Sequence, residues 1–443
     1  MMDVAMQLPV RSGYDVIVLG GGPAGVTAAA AAAREGARTL LIEQTGCLGG
    51  MATNGLVSVF APYADGQRLV YAGLAEHILE ETKKALPHIH PEDTRWVAAD
   101  PEHLKVVLDD LVINSGAEIL FFSTFCGVRM RDERQVEGVM IANKDGLTLY
   151  TARLFVDCTG DADLAAWAGA EFHKGDAGGD LQPATLCFTL ANVDTYAYLN
   201  SPKLHPMYKD SPIYDIVASG KYPLIPDTHL CNQLGGPGIV GFNAGHLWEV
   251  DGTDAASLSR AMPKGRKLVR ELVRALKENV PGSFANAHLM ATGALMGTRE
   301  SRRIAGDYCL TKEDYAQRQS FPDEIGRSCY YLDIHLTREE AAKGNSAFKA
   351  EHGKYGRYAE GESHGIPYRC LLPATLDNVL VAGKTISTDR TMQGAIRVMP
   401  ACFVMGEAAG IAAAMAACGE GMTRKVDIRA LRDKIRSCGG YIL

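Results

Sequence analysis

Short runs of hydrophobic residues alternate with glycine turns and small-residue segments at the beginning of the chain. Residues 14–19 are an apolar run with β-branched side chains, which predicts a buried strand. Residues 24–35 have the composition of a helix, and Gly36 follows as a stop signal. A second apolar run covers residues 37–42. The pattern predicts a strand–helix–strand unit in this region.

The same hydrophobic and polar patterns predict further helices and strands along the chain. Asp100 and Pro101 predict the start of a helix with one apolar face. Another helix is expected over residues 264–279, with Pro263 in its first turn, and a small-residue helix begins near Pro400. Strands are expected over residues 117–122, 128–130, 136–141, 147–149, 153–157, 181–193, 245–250, 330–335 and 378–382.

This order of elements predicts an α/β protein. A Rossmann-like domain, with a parallel sheet and an inserted antiparallel meander, is built from both ends of the chain because the last strand and helix rejoin the first sheet. A central α+β domain for substrate lies between them. We predict a cofactor domain from residues 1–164 and 371–443 and a substrate domain from residues 165–370.

Composition and charge narrow the functional classes. The net charge of −7 without a basic run argues against a nucleic-acid partner. No cationic segment followed by an apolar stretch opens the sequence, and residues 401–418 contain Glu407, so we expect a packed internal helix, no membrane association and a cytoplasmic protein. The eleven cysteines contain no C-x-x-C pair, which disfavours zinc and iron–sulfur centres, and we predict no metal.

A G-x-G-x-x-G motif follows the first predicted strand. Gly20 suits a tight turn, Gly22 lets a pyrophosphate approach the backbone, and Gly25 lets the helix pack on the sheet. Glu43 ends the second predicted strand, where a carboxylate binds ribose hydroxyls, and no arginine follows it to bind a 2′-phosphate. The motif therefore predicts a dinucleotide site. The predicted cofactor ligands in this unit are Gly20, Gly22, Pro23, Ala24, Gly25, Glu43 and Gln44.

The same glycine spacing recurs in the middle of the chain. Gly236, Gly238 and Gly241 have no clear apolar run before them and no helical pattern after them. We interpret this stretch as a turn that enters a strand.

Several longer stretches together resemble one family. "VIVLGGGPAG", "LGGMAT", "VDCTGDADLA", "GTRESRRIAGDYCL", "FPDEIGRSCYYLDIH", "IPYRCLLPATLDNVLVAGKTIS" and "GAIRVMPACFVMGEAAGIAAA" span nearly the whole chain. They resemble the bacterial FAD-dependent oxidoreductases of the glutathione-reductase-like flavoprotein superfamily, distantly similar to fumarate reductase and heterodisulfide reductase flavoprotein subunits. The resemblance implies FAD as cofactor. It implies further FAD contacts from Gly49, Gly50, Met51, Ala52, Thr159, Gly160, Asp161, Gly383, Arg397 and Ala401.

The catalytic candidates are polar residues of the middle and the C-terminal part. His335 ends a predicted strand and is the best candidate for a base; the alternative is an ordinary packed histidine. Arg397, just before the helix that the resemblance aims at the flavin, is the second catalytic candidate. Weaker candidates for substrate contacts are Arg299, Arg302, His246 and His288, where the alternative for the arginines is an ion pair that holds the structure.

We therefore expect an FAD-dependent oxidoreductase that transfers hydride between flavin N5 and a small polar organic substrate. A flavin monooxygenase and an electron-transfer subunit that works with a separate redox partner are the alternatives. The sequence does not identify the electron acceptor, and a homo-oligomer stays open.

Overall fold

A computed structural model describes residues 7–343 and 355–443. The strands of this described part are β1 (Val10–Leu19), β2 (Thr39–Ile42), β3 (Glu118–Leu120), β4 (Thr124–Met130), β5 (Val136–Asn143), β6 (Gly146–Asp157), β7 (Phe172–Lys174), β8 (Phe188–Ala191), β9 (Leu230–Gly236), β10 (Ile239–Ala244), β11 (His288–Thr292), β12 (Arg302–Ile304), β13 (Glu324–Ser328), β14 (His364–Pro367) and β15 (Val379–Val381).

The helices of the described part follow in chain order. They are α1 (Pro23–Arg34), α2 (Leu74–Lys83), α3 (Pro101–Asn114), α4 (Asp163–Trp167), α5 (Thr195–Asn200), α6 (Ile213–Ala218), α7 (Ala255–Asn279), α8 (Pro281–Phe284), α9 (Lys312–Ala316), α10 (Arg338–Lys343), α11 (Arg390–Ile396), α12 (Met399–Cys418) and α13 (Ile428–Ser437). Two short 3₁₀ turns cover Tyr368–Leu371 and Thr423–Lys425.

The main sheet confirms the predicted α/β class. Its order is β3-β2-β1-β6-β5-β4, and β15 pairs with β6. The strands β1, β2, β3, β15 and the end of β6 run parallel, whereas β4, β5 and the beginning of β6 form the antiparallel meander. The C-terminal strand thus returns to the first sheet, as predicted. The two expected strands at 147–149 and 153–157 are one strand, because β6 runs through both the meander and the parallel sheet.

The helices α1 and α12 pack closely because small residues face each other. A Cβ atom at Gly406 would lie 2.0 Å from Ala24 O, and one at Gly410 would lie 2.2 Å from Ala28 O. By length and composition α12 could cross a membrane, but 89% of its apolar window is buried inside the protein. The prediction of a packed internal helix is confirmed.

A second, four-stranded antiparallel sheet has the order β11-β8-β10-β9 and its own hydrophobic core. Gly238 lies in the turn between β9 and β10 with φ of +71°, so the second glycine motif is a hairpin turn, as interpreted. The strand β9 does precede it, contrary to the expectation from its weak apolar pattern. The predicted division of the chain at residues 164 and 370 stays a prediction.

Three local expectations are wrong. The helix α7 begins at Ala255, so Pro263 lies inside it; Asp254 caps the earlier start by accepting a hydrogen bond from Ala256 N at 2.9 Å. Residues 245–250 form no strand beyond a single bridge at Leu247. Residues 330–335 also form no strand, because their backbone packs on α11: a Cβ atom at Gly394 would lie 2.9 Å from Asp333 O.

A carboxyl group is buried in the apolar helix α12. Glu407 is 7% exposed, and its Oε2 accepts a hydrogen bond from Leu74 N at 2.9 Å. Burial raises the pKa of Glu407 from 4.5 to about 7. The unfolded chain therefore loses this proton at a lower pH than the folded protein, so this group lowers stability as pH rises between these two values.

We expect Glu407→Gln to remove that loss, since the amide oxygen still accepts the bond from Leu74. The free energy of unfolding of the variant should exceed that of the native chain by up to about 3 kcal/mol near pH 8, with little difference near pH 5. Urea denaturation at the two pH values measures this, with Glu420→Gln at an exposed position as control. A variant less stable than the native chain at the higher pH would contradict the prediction.

Candidate cofactor and active site

The first glycine turn lies at the carboxyl end of β1. Gly20 has φ of +92°, and a Cβ atom at Gly25 would lie 1.8 Å from Gly20 O, so only glycine lets α1 approach the strand this closely. In contrast, no atom lies within 4 Å of a Cβ position at Gly22. Pro23 and Ala24 open α1, whose first turn has no side-chain cap. Open space and uncapped N–H groups at a helix start suit a pyrophosphate.

Glu43 lies beside this turn at the end of β2. It is 7% exposed. Its Oε2 accepts a hydrogen bond from Gly21 N at 2.7 Å, and its Oε1 accepts from Thr45 N at 2.8 Å and Thr45 Oγ1 at 2.7 Å. The carboxylate therefore orders the glycine turn and keeps acceptor capacity for a ribose hydroxyl. Gln44, also predicted as a cofactor ligand, is exposed.

We expect Glu43→Gln to weaken FAD binding by roughly tenfold to a hundredfold, because charge-assisted hydrogen bonds to the turn and to a ribose become neutral ones. Titration of the apoprotein with FAD, followed by flavin fluorescence, measures the affinity. The matched control is Glu35→Gln, which removes only the ion pair with Lys434 at the far end of α1. Equal FAD affinity in both variants would mean that Glu43 does not serve the cofactor.

The second glycine turn follows β6. Asp157 accepts hydrogen bonds from Thr159 N, Thr159 Oγ1 and Ala165 N at 3.1, 2.7 and 2.9 Å, and burial raises the pKa of Asp157 to about 6. Gly160 has φ of +81° with open space at its Cβ position. Asp161 Oδ1 is buried and accepts no hydrogen bond among the described residues, although Lys384 Nζ lies 3.6 Å from it as an ion-pair partner. The turn therefore offers an oxygen with remaining acceptor capacity to a hydroxyl-bearing ligand.

The segment after β2 packs on the first glycine turn. Gly49 N donates to Gly21 O at 2.8 Å, and a Cβ atom at Gly50 would lie 3.0 Å from Gly22 Cα. The side chain of Met51 reaches the segment that follows β11, with Cε 3.4 Å from a Cβ position at Gly297. Ala52, the last of the predicted ligands here, is fully buried.

The C-terminal part completes this arrangement. Gly383, with φ of +100°, follows β15, and its Cβ position lies 3.4 Å from Ala24 Cβ and 4.0 Å from Cys402 Sγ. It therefore lies between the starts of α1 and α12. The helix α12 also begins without a side-chain cap, and Ala401 in its first turn is buried.

These segments fit FAD. Two uncapped helix starts, the open positions at Gly22 and Gly160, and the Asp161 oxygen that accepts no hydrogen bond lie around the carboxyl ends of β1, β6 and β15. The pyrophosphate suits the helix start of α1, and a ribityl hydroxyl suits Asp161. The individual contacts stay predictions.

A chain of hydrogen bonds joins three histidine-bearing segments next to this region. His246 Nδ1 lies 2.5 Å from Asp227 Oδ2, and His246 Nε2 lies 2.9 Å from His335 Nδ1. Since a carboxylate only accepts hydrogen bonds, His246 carries its proton on Nδ1 and accepts at Nε2. His335 therefore donates from Nδ1, and its Nε2 keeps a free lone pair.

The chain continues towards α12. His335 Nε2 lies 3.7 Å from Asp333 Oδ1. Arg397 Nη2 donates to Asp333 O at 2.6 Å and lies 3.3 Å from Asp333 Oδ2. Arg397 directly follows α11, and α12 begins two residues later. The Asp333 carboxylate thus lies between His335 Nε2 and Arg397. Arg397 in turn lies next to the start of α12, the helix expected to face the flavin.

The sequence profile of the FAD dependent oxidoreductase family matches residues 15–435. The chain belongs to this family. The match covers most of the chain, and it confirms FAD as the cofactor and an oxidoreductase activity.

The oxidoreductase also resembles solved structures. A geranylgeranyl bacteriochlorophyll reductase-like protein from Thermoplasma acidophilum is 16% identical, with 97% of this chain and 85% of that chain covered and a TM-score of 0.49. An anhydrotetracycline hydroxylase from Streptomyces rimosus is 13% identical, with 96% of this chain and 65% of that chain covered and a TM-score of 0.45. A flavin-dependent brominase is 12% identical, with 96% of this chain and 83% of that chain covered and a TM-score of 0.47. These similarities are too distant to indicate a substrate or a reaction. No curated protein sequence matches the chain.

The electrostatics of the oxidoreductase keep the histidines neutral. Burial, and then the charge of Arg299, lower the pKa of His335 to about 3 against the opposing effect of Asp333. Burial also lowers the pKa of His246 despite its bond to Asp227. Burial alone would raise the pKa of Asp333, but the neighbouring groups, the charged Arg397 and Arg299 among them, lower the pKa well below its ordinary value. A neutral imidazole thus lies beside a charged carboxylate.

His229 is the third histidine of this cluster, and its ring packs on the ring of His246. The rings of His229 and His246 stack with centroids 4.2 Å apart and planes 11° apart. The ligand atoms of these two residues and His335 lie within 4.8 Å of one another, which raises the question of a metal. The lone pairs of imidazole lie in the ring plane, so two parallel stacked rings cannot both point at one ion. This geometry favours a hydrogen-bonded cluster over a metal site.

The other substrate candidates lie in different places. Arg299 Nη1 donates to Pro183 O and Thr185 Oγ1, both at 2.8 Å, and its Nη2 lies 3.3 Å from His229 Nε2, so it belongs to the cluster. Arg302 Nη1 donates to Asp161 O and Asp163 Oδ1 at 2.8 and 2.7 Å, which holds the second glycine turn. His288 is exposed at the start of β11. Ligand roles for these residues stay predictions.

Sequence reasoning missed the acidic partners and one amide. Asp227 and Asp333 each precede a histidine by two residues, and this repeated Asp-x-His spacing was the available signal, since residues two apart in extended chain share a side. Gln182 was also missed: its Oε1 accepts from His335 N at 3.0 Å, while its buried Nε2 has no partner among the described residues.

Proposed function

We propose that this oxidoreductase transfers hydride between FAD and a small polar organic substrate, and that His335 moves the accompanying proton. When bound, FAD supplies the hydride acceptor or donor at N5. We also propose that, within its family, the protein is related to the glutathione-reductase-like flavoproteins.

The observation that carries the proposal is the order of the hydrogen bonds among His335, His246 and Asp227, which leaves a lone pair on His335 Nε2. The hydrogen bonds from His335 to His246 and from His246 to Asp227 fix the tautomers, so this nitrogen is a base without any rearrangement. In the oxidising direction it takes the proton of a substrate O–H or N–H group. In the reducing direction its protonated form returns one.

Asp333 has a second role in the proposal. Its Oδ1 lies 3.7 Å from the nitrogen that accepts the proton, so its charge stabilises an imidazolium at His335. Arg397 and the hydroxyl of Tyr330, 3.2 Å from Asp333 Oδ2, orient this carboxylate.

The unpaired amide of Gln182 supports a polar substrate. An unsatisfied buried N–H group costs roughly 1–3 kcal/mol, and an oxygen of a substrate held against His335 would satisfy it. We include Gln182 as a proposed substrate contact.

Anaerobic mixing of the FAD-loaded protein with pools of polar metabolites tests the function, with flavin absorbance as the readout. Bleaching by one pool, followed by identification of an oxidised product, is the expected result. If no pool bleaches the flavin but a reduced one-electron carrier does, the electron-transfer alternative replaces the proposal. Product that contains oxygen from O₂ would identify a monooxygenase instead.

A further inference from the structure

We propose that Asp227, His246 and His335 form a proton path that connects the active site with solvent, beyond fixing the orientation of the base. This inference rests on the proposed function only for the origin of the proton. The path itself follows from three side chains whose donors and acceptors match in one direction.

Each link of the path is defined by atoms. His335 Nδ1 donates to His246 Nε2 across 2.9 Å, and His246 Nδ1 donates to Asp227 Oδ2 across 2.5 Å. Both distances are short enough for transfer of a proton along an existing hydrogen bond. The residues come from three separate segments, so no local turn forces this alignment.

The proton balance is simple. A proton that binds His335 Nε2 allows the proton on Nδ1 to move to His246 Nε2. The proton on His246 Nδ1 then moves to Asp227 Oδ2, which releases it to water. One proton enters and one leaves, no group is oxidised or reduced, and transfer in the reverse direction or rotation of the rings restores the first tautomers.

Both ends of the path lie beside carboxylates that contact solvent. The side chains of Asp227 and Asp333 are 28% and 29% exposed, whereas those of His246 and His335 are 11% and 17% exposed. Asp227 therefore connects the end of the path away from Asp333 with solvent, and stacked His229 covers one face of the middle ring.

The surroundings of the path lower the pKa of its histidines, so a proton does not stay on them. Burial lowers the pKa of His335 most, the charges of Arg299 and Arg397 lower it further, and Asp333 raises it. The Tyr330 hydroxyl donates a hydrogen bond to Asp333 Oδ2. Burial raises the pKa of Tyr330, so this hydroxyl stays protonated. A proton taken from substrate thus favours leaving over staying on an imidazole.

Two substitutions separate a proton path from a purely orienting role. Glutamine in His246→Gln can accept from His335 Nδ1 through Oε1 and donate to Asp227 through Nε2, so both hydrogen bonds survive while proton transfer stops. Asp227→Asn likewise keeps an acceptor for His246 but does not take up a proton at neutral pH. His173→Gln, at an exposed position of β7, is the matched control.

The experiment is NMR of FAD-loaded protein labelled with ¹⁵N-histidine. The nitrogen shifts report the tautomer, and magnetisation transfer from water reports the exchange rate of the His335 Nδ1 proton. We expect the Nδ1–H tautomer of His335 in all three variants. The exchange rate should fall by roughly tenfold or more in His246→Gln and Asp227→Asn, and it should be unchanged in His173→Gln.

Unchanged exchange in both path variants would overturn the proposal, as would a neutral His335 protonated on Nε2 in the native protein. If His246→Gln does not fold, Asp227→Asn decides alone, since it alters only the more exposed end. The readout requires no substrate. Failure to find a substrate that reduces the flavin would therefore affect the proposed function and not this result.

Discussion

Replacing Gly25 by alanine is expected to destabilise the protein and abolish FAD binding. The new Cβ atom would lie 1.8 Å from Gly20 O and 2.9 Å from Gly20 C, both backbone atoms of the turn between β1 and α1. The helix must move away from the strand, which costs about 3 kcal/mol or more. Thermal denaturation of the apoprotein and the flavin content of the purified protein measure the two effects.

Gly22→Ala is the matched comparison. Gly22 has φ of −73°, and its Cβ position has no atom within 4 Å, so alanine fits the empty turn without strain. The methyl group would instead occupy space that we assign to the pyrophosphate. We expect a normal melting temperature without FAD and strongly reduced FAD affinity. Normal FAD binding in Gly22→Ala would place the pyrophosphate elsewhere, and a stable Gly25→Ala apoprotein would contradict the packing argument.

The cofactor part of the fold was predictable because its signals are local. Gly20, Gly22 and Gly25 lie within six positions of one another, between an apolar run and a helical segment. Each glycine has a steric reason that acts over short sequence distance. The return of β15 to the sheet was also predictable, since a short apolar run followed by Gly383 repeats the pattern of the first unit.

The histidine cluster was not predictable in the same way. His335 and His246 are separated by 89 positions and His246 and Asp227 by 19, and no periodicity reports a hydrogen bond between such segments. The sequence pattern predicts His335 at the end of a strand that does not form. The residue remained a sound candidate because it lies next to Asp333, and the chemistry of an imidazole beside a carboxylate does not depend on a regular strand.

The start of α7 shows a competition between two local signals. Proline at position 263 suggested a first turn, because proline is favoured there and disfavoured inside helices. The cap at Asp254 and the buried positions Ala261 and Leu268 outweigh the hydrogen bond that Pro263 cannot donate. Tertiary packing of the helix decides between the two signals, and sequence alone does not report it.

His335→Gln is expected to leave FAD bound while it slows flavin reduction by roughly a hundredfold or more, because the amide cannot take the substrate proton. The measurement is anaerobic stopped-flow absorbance with the metabolite pool that reduces the native protein. Since burial and the charge of Arg299 lower the pKa of His335 to about 3, the native rate should not depend on protonation of this imidazole at neutral pH.

The control for this prediction is His173→Gln, which changes an exposed histidine of β7 and should reduce at the native rate. His246→Ala adds a second comparison: it removes the acceptor for His335 Nδ1, so His335 loses its fixed tautomer and the rate should fall by an intermediate factor. If His335→Gln is reduced as fast as the native protein, with the same FAD content, His335 is not the base. In that case its hydrogen bonds to His246 and Gln182 hold the segment that contains Asp333, and the base has to be sought among other side chains around the flavin.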